Sequence, residues 1–364
     1  MFLCCARFPI ASAQTPRGHQ TQNVILIMID GMRWQEIFRG ADPELLKTLG
    51  SDMPGDAKQR AEFARQRYSR STTAEGRQTL MPFLWGVVSR RGQLFGNRDM
   101  GSDSHVTNGL NFSYPGYSET LTGLADPRVN SNDNVPNPNP TVFEWLNAKQ
   151  AFTGKVAAFG AWNVFDGIFR SKQSGLVVNA GYDAFTAIPP TSNLELLNTL
   201  KLETVRIWPD EAFDPMPFHT AVEYLKVRKP RVLFLGLGET DEWAHAGSYA
   251  EYLNAAHLAD EYLRQIWELI QSMPEYRDKT TLIVLPDHGR GEAGKWTDHG
   301  EKVPESMQTW MAFLGPDTPP LGERKQSNSV TESQIAATVA ALLGEDYRVA
   351  VPKAGAPIPD ILIK

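Results

Sequence analysis

Val24-Ile-Leu-Ile-Met-Ile29-Asp30-Gly31 is an unbroken apolar run that ends on a carboxylate and a glycine. Six apolar residues in succession leave no polar face, so the run reads as a strand buried on both sides, as in a parallel sheet. Two later runs repeat the arrangement: Val232–Leu237 comes shortly before Asp241, and Leu282–Leu285 stops just before Asp287-His288-Gly289. Each strand would deliver a carboxylate to the same sheet edge. Strand-like runs alternate with helical patterns through most of the remaining sequence. This predicts an α/β fold, a mostly parallel central sheet with helices on both faces.

At 364 residues and 41% hydrophobic composition, the chain is long enough for one large core. Residues 22–364 read as a single catalytic domain. The stretch at about 39–78, polar and charge-rich with no strand signal, reads as a cap or insertion. The net charge of -6 gives no basic footprint for a nucleic-acid duplex. No apolar run approaches the roughly 20 residues of a membrane-spanning helix. Ala11-Ser12-Ala13 before Gln14 has the small-x-small pattern of a cleavage site, so residues 1–13 are expected to be a truncated signal peptide and the protein periplasmic or secreted. Both cysteines, Cys4 and Cys5, fall in that segment, which leaves the rest of the chain without thiolate ligands or disulfides.

Helix signals punctuate the chain. Thr79–Arg90 reads as a helix closed by Gly92, with a short strand at Gln93–Gly96. Thr141-x-x-Glu144, Ser248-x-x-Glu251 and Thr331-x-x-Gln334 match the capping box and predict helices at Thr141–Gln150, Ser248–Gln271 and from Thr331 through Leu343. Residues 130–140 are loop by composition, and residues 160–230 mix short strands and turns with a helix near Thr220–Arg228.

Three histidines fall where the strand-end aspartates do. Asp241 and His245 are four residues apart, so one helical turn would face both the same way. Asp287 and His288 are adjacent at a strand tip, and His299 returns eleven residues later. A donor set of carboxylate and imidazole without thiolate suits zinc, with manganese as the alternative.

A nucleophile is sought in Asn111-Phe-Ser113-Tyr-Pro115-Gly116-Tyr-Ser118-Glu-Thr120-Leu-Thr122-Gly123, where a loop feeds a helix with Pro115 in its first turn. Ser113 is expected at the helix N-terminus, where free amides and the dipole favour bound phosphate, although plain capping is the other role open to it. Gly116-x-Ser118-x-Thr120 lacks the final glycine of a GxSxG elbow, which disfavours an α/β-hydrolase.

The ordered set IMIDGMRW, SYPGYSETLTG, DEWAH, PDHG and DHG resembles the alkaline phosphatase superfamily, most closely its type I phosphodiesterase and nucleotide pyrophosphatase branch. The resemblance runs from about residue 23 to residue 344. It implies a two-metal phosphoric ester hydrolase of small-molecule substrates, phosphodiesters or nucleotide-like compounds, with phosphomonoesters as the alternative. One divalent ion would be held by Asp241, His245 and His299. The other would be held by Asp30, Asp287, His288 and Ser113, with Ser113 forming a phosphoserine intermediate by in-line attack.

The chain also departs from the family patterns. Ser113-Tyr-Pro-Gly116 has glycine where the phosphodiesterase branch has a phosphate-contacting asparagine. Gly160-Ala-Trp162-Asn163 stands where related monoesterases carry a lysine-arginine pair. Arg33, Asn111, Asn134, Asn163, Arg290 and Lys302 are the candidates to replace these contacts. A sulfatase would need arginine at Tyr117 and a second aspartate at Gly31, so that reading ranks low. A non-catalytic metal and anion binder is the reading from a different class.

Overall fold

The computed structural model describes residues 20–49 and 56–362. The expected signal segment, including Cys4 and Cys5, lies outside the described residues. Eight strands form the main sheet: β1 (Asn23–Ile29), β2 (Gln93–Phe95), β3 (Val156–Gly160), β4 (Val177–Ala180), β5 (Val232–Leu237), β6 (Thr280–Leu285), β7 (Met311–Leu314) and β8 (Gly322–Glu323). Their spatial order is β4-β3-β5-β1-β6-β7-β2-β8. Every pairing is parallel except those of β7 with β6 and β2. This is the fold class the apolar runs predict.

The three aspartate-bearing strands are neighbours at the centre. β1 pairs with β5 on one side, Ile29 opposite Leu237, and with β6 on the other, Met28 opposite Leu285. Their side chains alternate between two cores. Ile25, Ile27, Leu235 and Val284 face a layer containing the helices Pro215–Arg228 and Tyr249–Ser272. Val24, Leu26, Phe234 and Ile283 face the helices Ser113–Thr122, Val142–Asn147 and Ile335–Leu342. With both faces covered, each buried aliphatic side chain contributes about 1.5–3 kcal/mol of hydrophobic stabilisation, and a polar residue in mid-strand would have no partner. The carboxylates therefore wait for the strand ends.

Helical signals hold unevenly. Thr141 and Glu144 make the capping box, and Gln334 Oε1 accepts from the Thr331 amide, opening a 3-10 turn that leads into Ile335–Leu342. Ser248 makes no side-chain cap, and the Glu251 carboxylate that would complete the box pairs with Arg60 at 2.9 Å instead. The helix expected over Thr79–Arg90 is broken: Thr73–Leu80 ends at Met81, and a π-helix, Leu84–Val88, follows. The Phe83 and Leu84 amides there donate to buried Asp260, at 2.6 and 2.8 Å. Within residues 39–78, the helices Pro43–Thr48 and Asp56–Tyr68 lie along Tyr249–Ser272, with Tyr68 Oη donating to Asn254 at 2.8 Å. None of the described helices is long and apolar enough to cross a membrane.

Candidate metal centre

Asp30 follows β1 directly, Asp287 and His288 follow β6, and Asp241 and His245 share the seven-residue helix Glu239–His245 that begins just after β5. The last donor, His299, comes from the loop before the 3-10 turn Pro304–Met307. All six meet at one sheet edge. His288 Nε2 lies 3.4 Å from Asp30 Oδ1, 3.5 Å from Asp287 Oδ2 and 3.4 Å from Ser113 Oγ. His245 Nε2 lies 3.0 Å from both Asp241 Oδ2 and His299 Nε2. The two groups touch: His288 Nε2 is 3.8 Å from Asp241 Oδ1, and the His288 and His299 rings stack at 4.1 Å.

Backbone contacts set the donor atoms. His288 Nδ1 faces the Gly289 carbonyl at 2.8 Å and His299 Nδ1 the Asn111 carbonyl at 3.2 Å. A carbonyl can only accept, so both rings carry hydrogen on Nδ1 and turn the Nε2 lone pair toward the carboxylates. Tyr117, four residues after Ser113 on the same helix face, donates to Asp30 Oδ2 at 3.0 Å, and the Gly31 amide donates to Asp287 Oδ1 at 3.1 Å. The opposite oxygens, Asp30 Oδ1 and Asp287 Oδ2, are buried with no hydrogen-bond partner.

This concentration of charge is unstable alone. Burial, followed by the Asp241 charge, pushes the Asp30 carboxyl up to about 7. Burial and the Asp30 charge raise Asp287 well above its ordinary range. Burial also acts to raise Asp241, but Arg290 and then His245 and His299 overcome it and hold that group well below. Desolvation drops His288 to about 4, and desolvation with the His288 charge drops His299 to about 3, so both stay neutral bases at physiological pH. Three clustered carboxylates, neutral imidazole lone pairs and two orphaned oxygens aimed at one place fit a divalent cation. Asp30-Asp287-His288 and Asp241-His288-His299 each bring their donor atoms within 4.8 Å of one another.

Ser113 is the first residue of its helix, preceded by Phe112 without a side-chain cap, so its hydroxyl is not used for capping. Ser118 and Thr122 lie buried deeper in that helix, with Ser118 Oγ accepting from Asn137 and Thr122 donating to the Ser118 carbonyl.

The candidate replacement contacts scatter. Arg290 is buried and held by Asp241 and by the Thr297 carbonyl at 2.5 Å, so it orients a candidate donor. Arg33 is buried in an ion pair with Glu36 at 3.1 Å. Asn134 and Asn163 are exposed and joined to one another through the Asn163 carbonyl, and Lys302 is exposed. Besides Arg290, Asn111 stands beside the centre, with φ of 53°, its carbonyl on His299 and its buried Oδ1 unpartnered.

Sequence reasoning missed an acidic second layer. Asp214 accepts from the Gly238 amide at 2.7 Å, and Glu239 Oε1 accepts from the Asp214 amide at 2.9 Å. Glu211 hydrogen-bonds Glu242; burial and then Asp241 raise Glu242 to about 7, and burial and then Asp30 raise Glu211 well above its ordinary range. No local pattern marks Glu211, whereas the i, i+4 spacing of Tyr117 from Ser113 was available.

A family model described as the Metalloenzyme superfamily matches residues 213–344. No curated protein matches the sequence. Among solved structures, the alkaline phosphatase PafA is similar with a TM-score of 0.60 and 10% identity, covering 94% of this chain and 99% of that one. The lipoteichoic acid synthase LtaP from Listeria monocytogenes has a TM-score of 0.54 and 12% identity, covering 90% and 73%. The 2-O GAG sulfatase BT1596 has a TM-score of 0.50 and 12% identity, covering 93% and 73%.

Proposed function

From an alkaline-phosphatase-like fold whose sheet edge gathers a metal-binding donor set, we propose that this protein is a two-metal phosphodiester hydrolase with Ser113 as its nucleophile. The observation that carries the reading is the convergence of the unpartnered Asp30 Oδ1 and Asp287 Oδ2 on His288 Nε2, with Ser113 Oγ 3.4 Å from that same nitrogen. Asp30, Asp287, His288 and Ser113 would hold one ion, and Asp241, His245 and His299 the other, with zinc or manganese suited to both. When bound, such ions lower the pKa of a coordinated hydroxyl and offset charge on the phosphoryl oxygens.

The chain's own residues supply position. At the helix N-terminus the Ser113 amide is placed to meet a phosphate oxygen, since Tyr114 N donates to Asn132 Oδ1 at 3.0 Å, Pro115 has no N–H and Gly116 N donates to the Phe112 carbonyl; Tyr117 and the Gly31 amide fix the two carboxylates. Ser113 Oγ bonds to phosphorus as one ester P–O bond breaks, releasing one alcohol and leaving a phosphoryl-serine still esterified to the other alcohol. Water then bonds to phosphorus as the bond to Ser113 Oγ breaks, releasing the phosphomonoester and restoring the hydroxyl.

Sequence resemblance supports diesters over monoesters: IMIDGMRW matches the phosphodiesterase branch, and Gly160-Ala-Trp162-Asn163 stands where related monoesterases carry a lysine-arginine pair. The guanidinium of Arg290 is already committed to Asp241 and so is not offered to the second charge of a monoester. The signal-like segment supports placing the protein in the periplasm or outside the cell.

The test is hydrolysis of bis(p-nitrophenyl) phosphate, p-nitrophenyl phosphate and an aryl sulfate by zinc- and manganese-loaded protein. The diester should give the highest kcat/KM. Absence of any phosphate ester hydrolysis with the metal sites filled would refute the reading.

A further inference from the structure

A cleft of about 290 Å³ opens between residues 105–111 and 301–307, lined among others by His105, Thr107, Asn111, Glu301 and Met307. Both walls run directly from the candidate centre. Asn111 lies two residues before Ser113 and gives its carbonyl to His299 Nδ1, while Glu301 lies two residues after His299. The cleft therefore shares its walls with the loops that carry Ser113 and His299.

The walls are built, not loose. Buried Glu119 accepts from the Thr107 amide and hydroxyl at 2.9 and 2.8 Å and from Asn108 Nδ2 at 2.9 Å. Asn108 Oδ1 in turn accepts from the amides of Leu110 and Asn111, both at 2.9 Å. Opposite, Ser306 Oγ is tied to the Gly300 amide at 3.1 Å and to the Val303 carbonyl at 2.6 Å. His105 pairs with Gln308 as an isolated bridge, which joins the two walls.

Two polar side chains are offered to the cleft. His105 Nδ1 is on Asp103 Oδ2 at 2.8 Å, which leaves Nε2 for a ligand. Asp103 is itself held by Ser329 and Arg98, which keeps the imidazole in place. Glu301 adds an exposed carboxylate. A ligand matching this wall presents hydroxyls, which both donate and accept, and the volume admits a small group only.

We infer that this cleft is the subsite for one ester alcohol of the substrate, and that the alcohol is a small polyol of glycerol to monosaccharide size, its free hydroxyls hydrogen-bonded to His105 Nε2 and donating to Glu301. This inference rests on the phosphodiester reading of the centre. It assigns His105 and Glu301 to substrate choice, outside the metal ligands.

The experiment uses the zinc-loaded Ser113→Ala protein and calorimetric titration with two symmetric diesters, glycerophosphoglycerol and dipropyl phosphate, which differ in the free hydroxyls. Glycerophosphoglycerol should bind at least tenfold more tightly. His105→Ala and, because Glu301 is exposed and safe for folding, Glu301→Gln should each reduce that ratio at least threefold while leaving dipropyl phosphate affinity unchanged. Equal affinities, whether both diesters bind or neither does, would overturn the inference, as would a ratio that neither variant moves. Failure of the hydrolase reading shows separately, as an unreactive parent with bis(p-nitrophenyl) phosphate, since the affinity ratio is measured without turnover.

Discussion

Gly116 packs its Cα against the Asp287 carbonyl: a Cβ added there would sit 2.1 Å from that oxygen. The position where a phosphate-contacting asparagine is absent is thus closed by the backbone just after β6, at the first of the two candidate donors Asp287 and His288. Gly116→Ala should force the helix Ser113–Thr122 away from β6, costing about 1–3 kcal/mol by overpacking. Zinc affinity should fall with it, because Asp287 and Ser113 separate. Denaturant unfolding and zinc titration of the variant check both.

Ser113→Ala removes the attacking oxygen and leaves the three aspartates and three histidines untouched. Turnover of bis(p-nitrophenyl) phosphate should drop by about 10³-fold or more, since no other hydroxyl on this helix is free to substitute. Zinc should still protect the variant against heat, shown by a rise in Tm on adding metal.

Metal binding should release protons from carboxyls and from His245, and not from His288 or His299. In the metal-free protein Asp30 sits at about 7, burial and the Asp30 charge hold Asp287 well above the ordinary carboxylate range, and the hydrogen bond to Asp241 raises His245, whereas His288 and His299 are already neutral above about 4 and 3. Because a cation must displace the proton on Asp30, apparent zinc affinity should climb as pH rises from 5.5 through 7. Calorimetry at pH 6 in buffers of different ionisation enthalpy should read release of about one proton or more.

Lys201 supplies a stability signature far from the centre. Its buried ammonium donates to Asn179 Oδ1 at 2.6 Å and to the Asp183 carbonyl at 3.0 Å, and burial lowers it from 10.5 to about 8. Between pH 8 and 10.5 the unfolded chain holds the proton and the folded one does not. Stability should therefore increase with pH in that window, with a slope approaching about 1.4 kcal/mol per pH unit. The cost of holding the charge is fully present below pH 8. Urea unfolding across the window should show this slope in the parent and lose it in Lys201→Met.

The chain announces its central strands because burial on both faces forces continuous apolar runs, and it announces their ends because charge can appear only there. Asp30, Asp241, Asp287 and the histidines beside them were legible for that reason. The capping boxes at Thr141 and Thr331 are local chemistry and could be read locally, whereas the box at Ser248 does not form and its partner Glu251 pairs instead with Arg60 from a distant helix. Arg290 looked like a substrate contact until its burial against Asp241 was seen. Glu211, Asp260 and Gly116 owe their roles to neighbours remote in sequence, which no window on the chain contains.

The donors that meet at the sheet edge enter in the order Asp30, Asp241, His245, Asp287, His288, His299, the first on β1 and the last beyond β6. Strand β1 finds its partners β5 and β6 only after most of the polypeptide has been made, so these pairings are among the longest-range in the fold. The metal capture proposed for this set would consequently be a property of the finished sheet. A truncated or mispaired chain offers scattered carboxylates, and an ion retained at the edge would certify that the central strands have assembled in the right order.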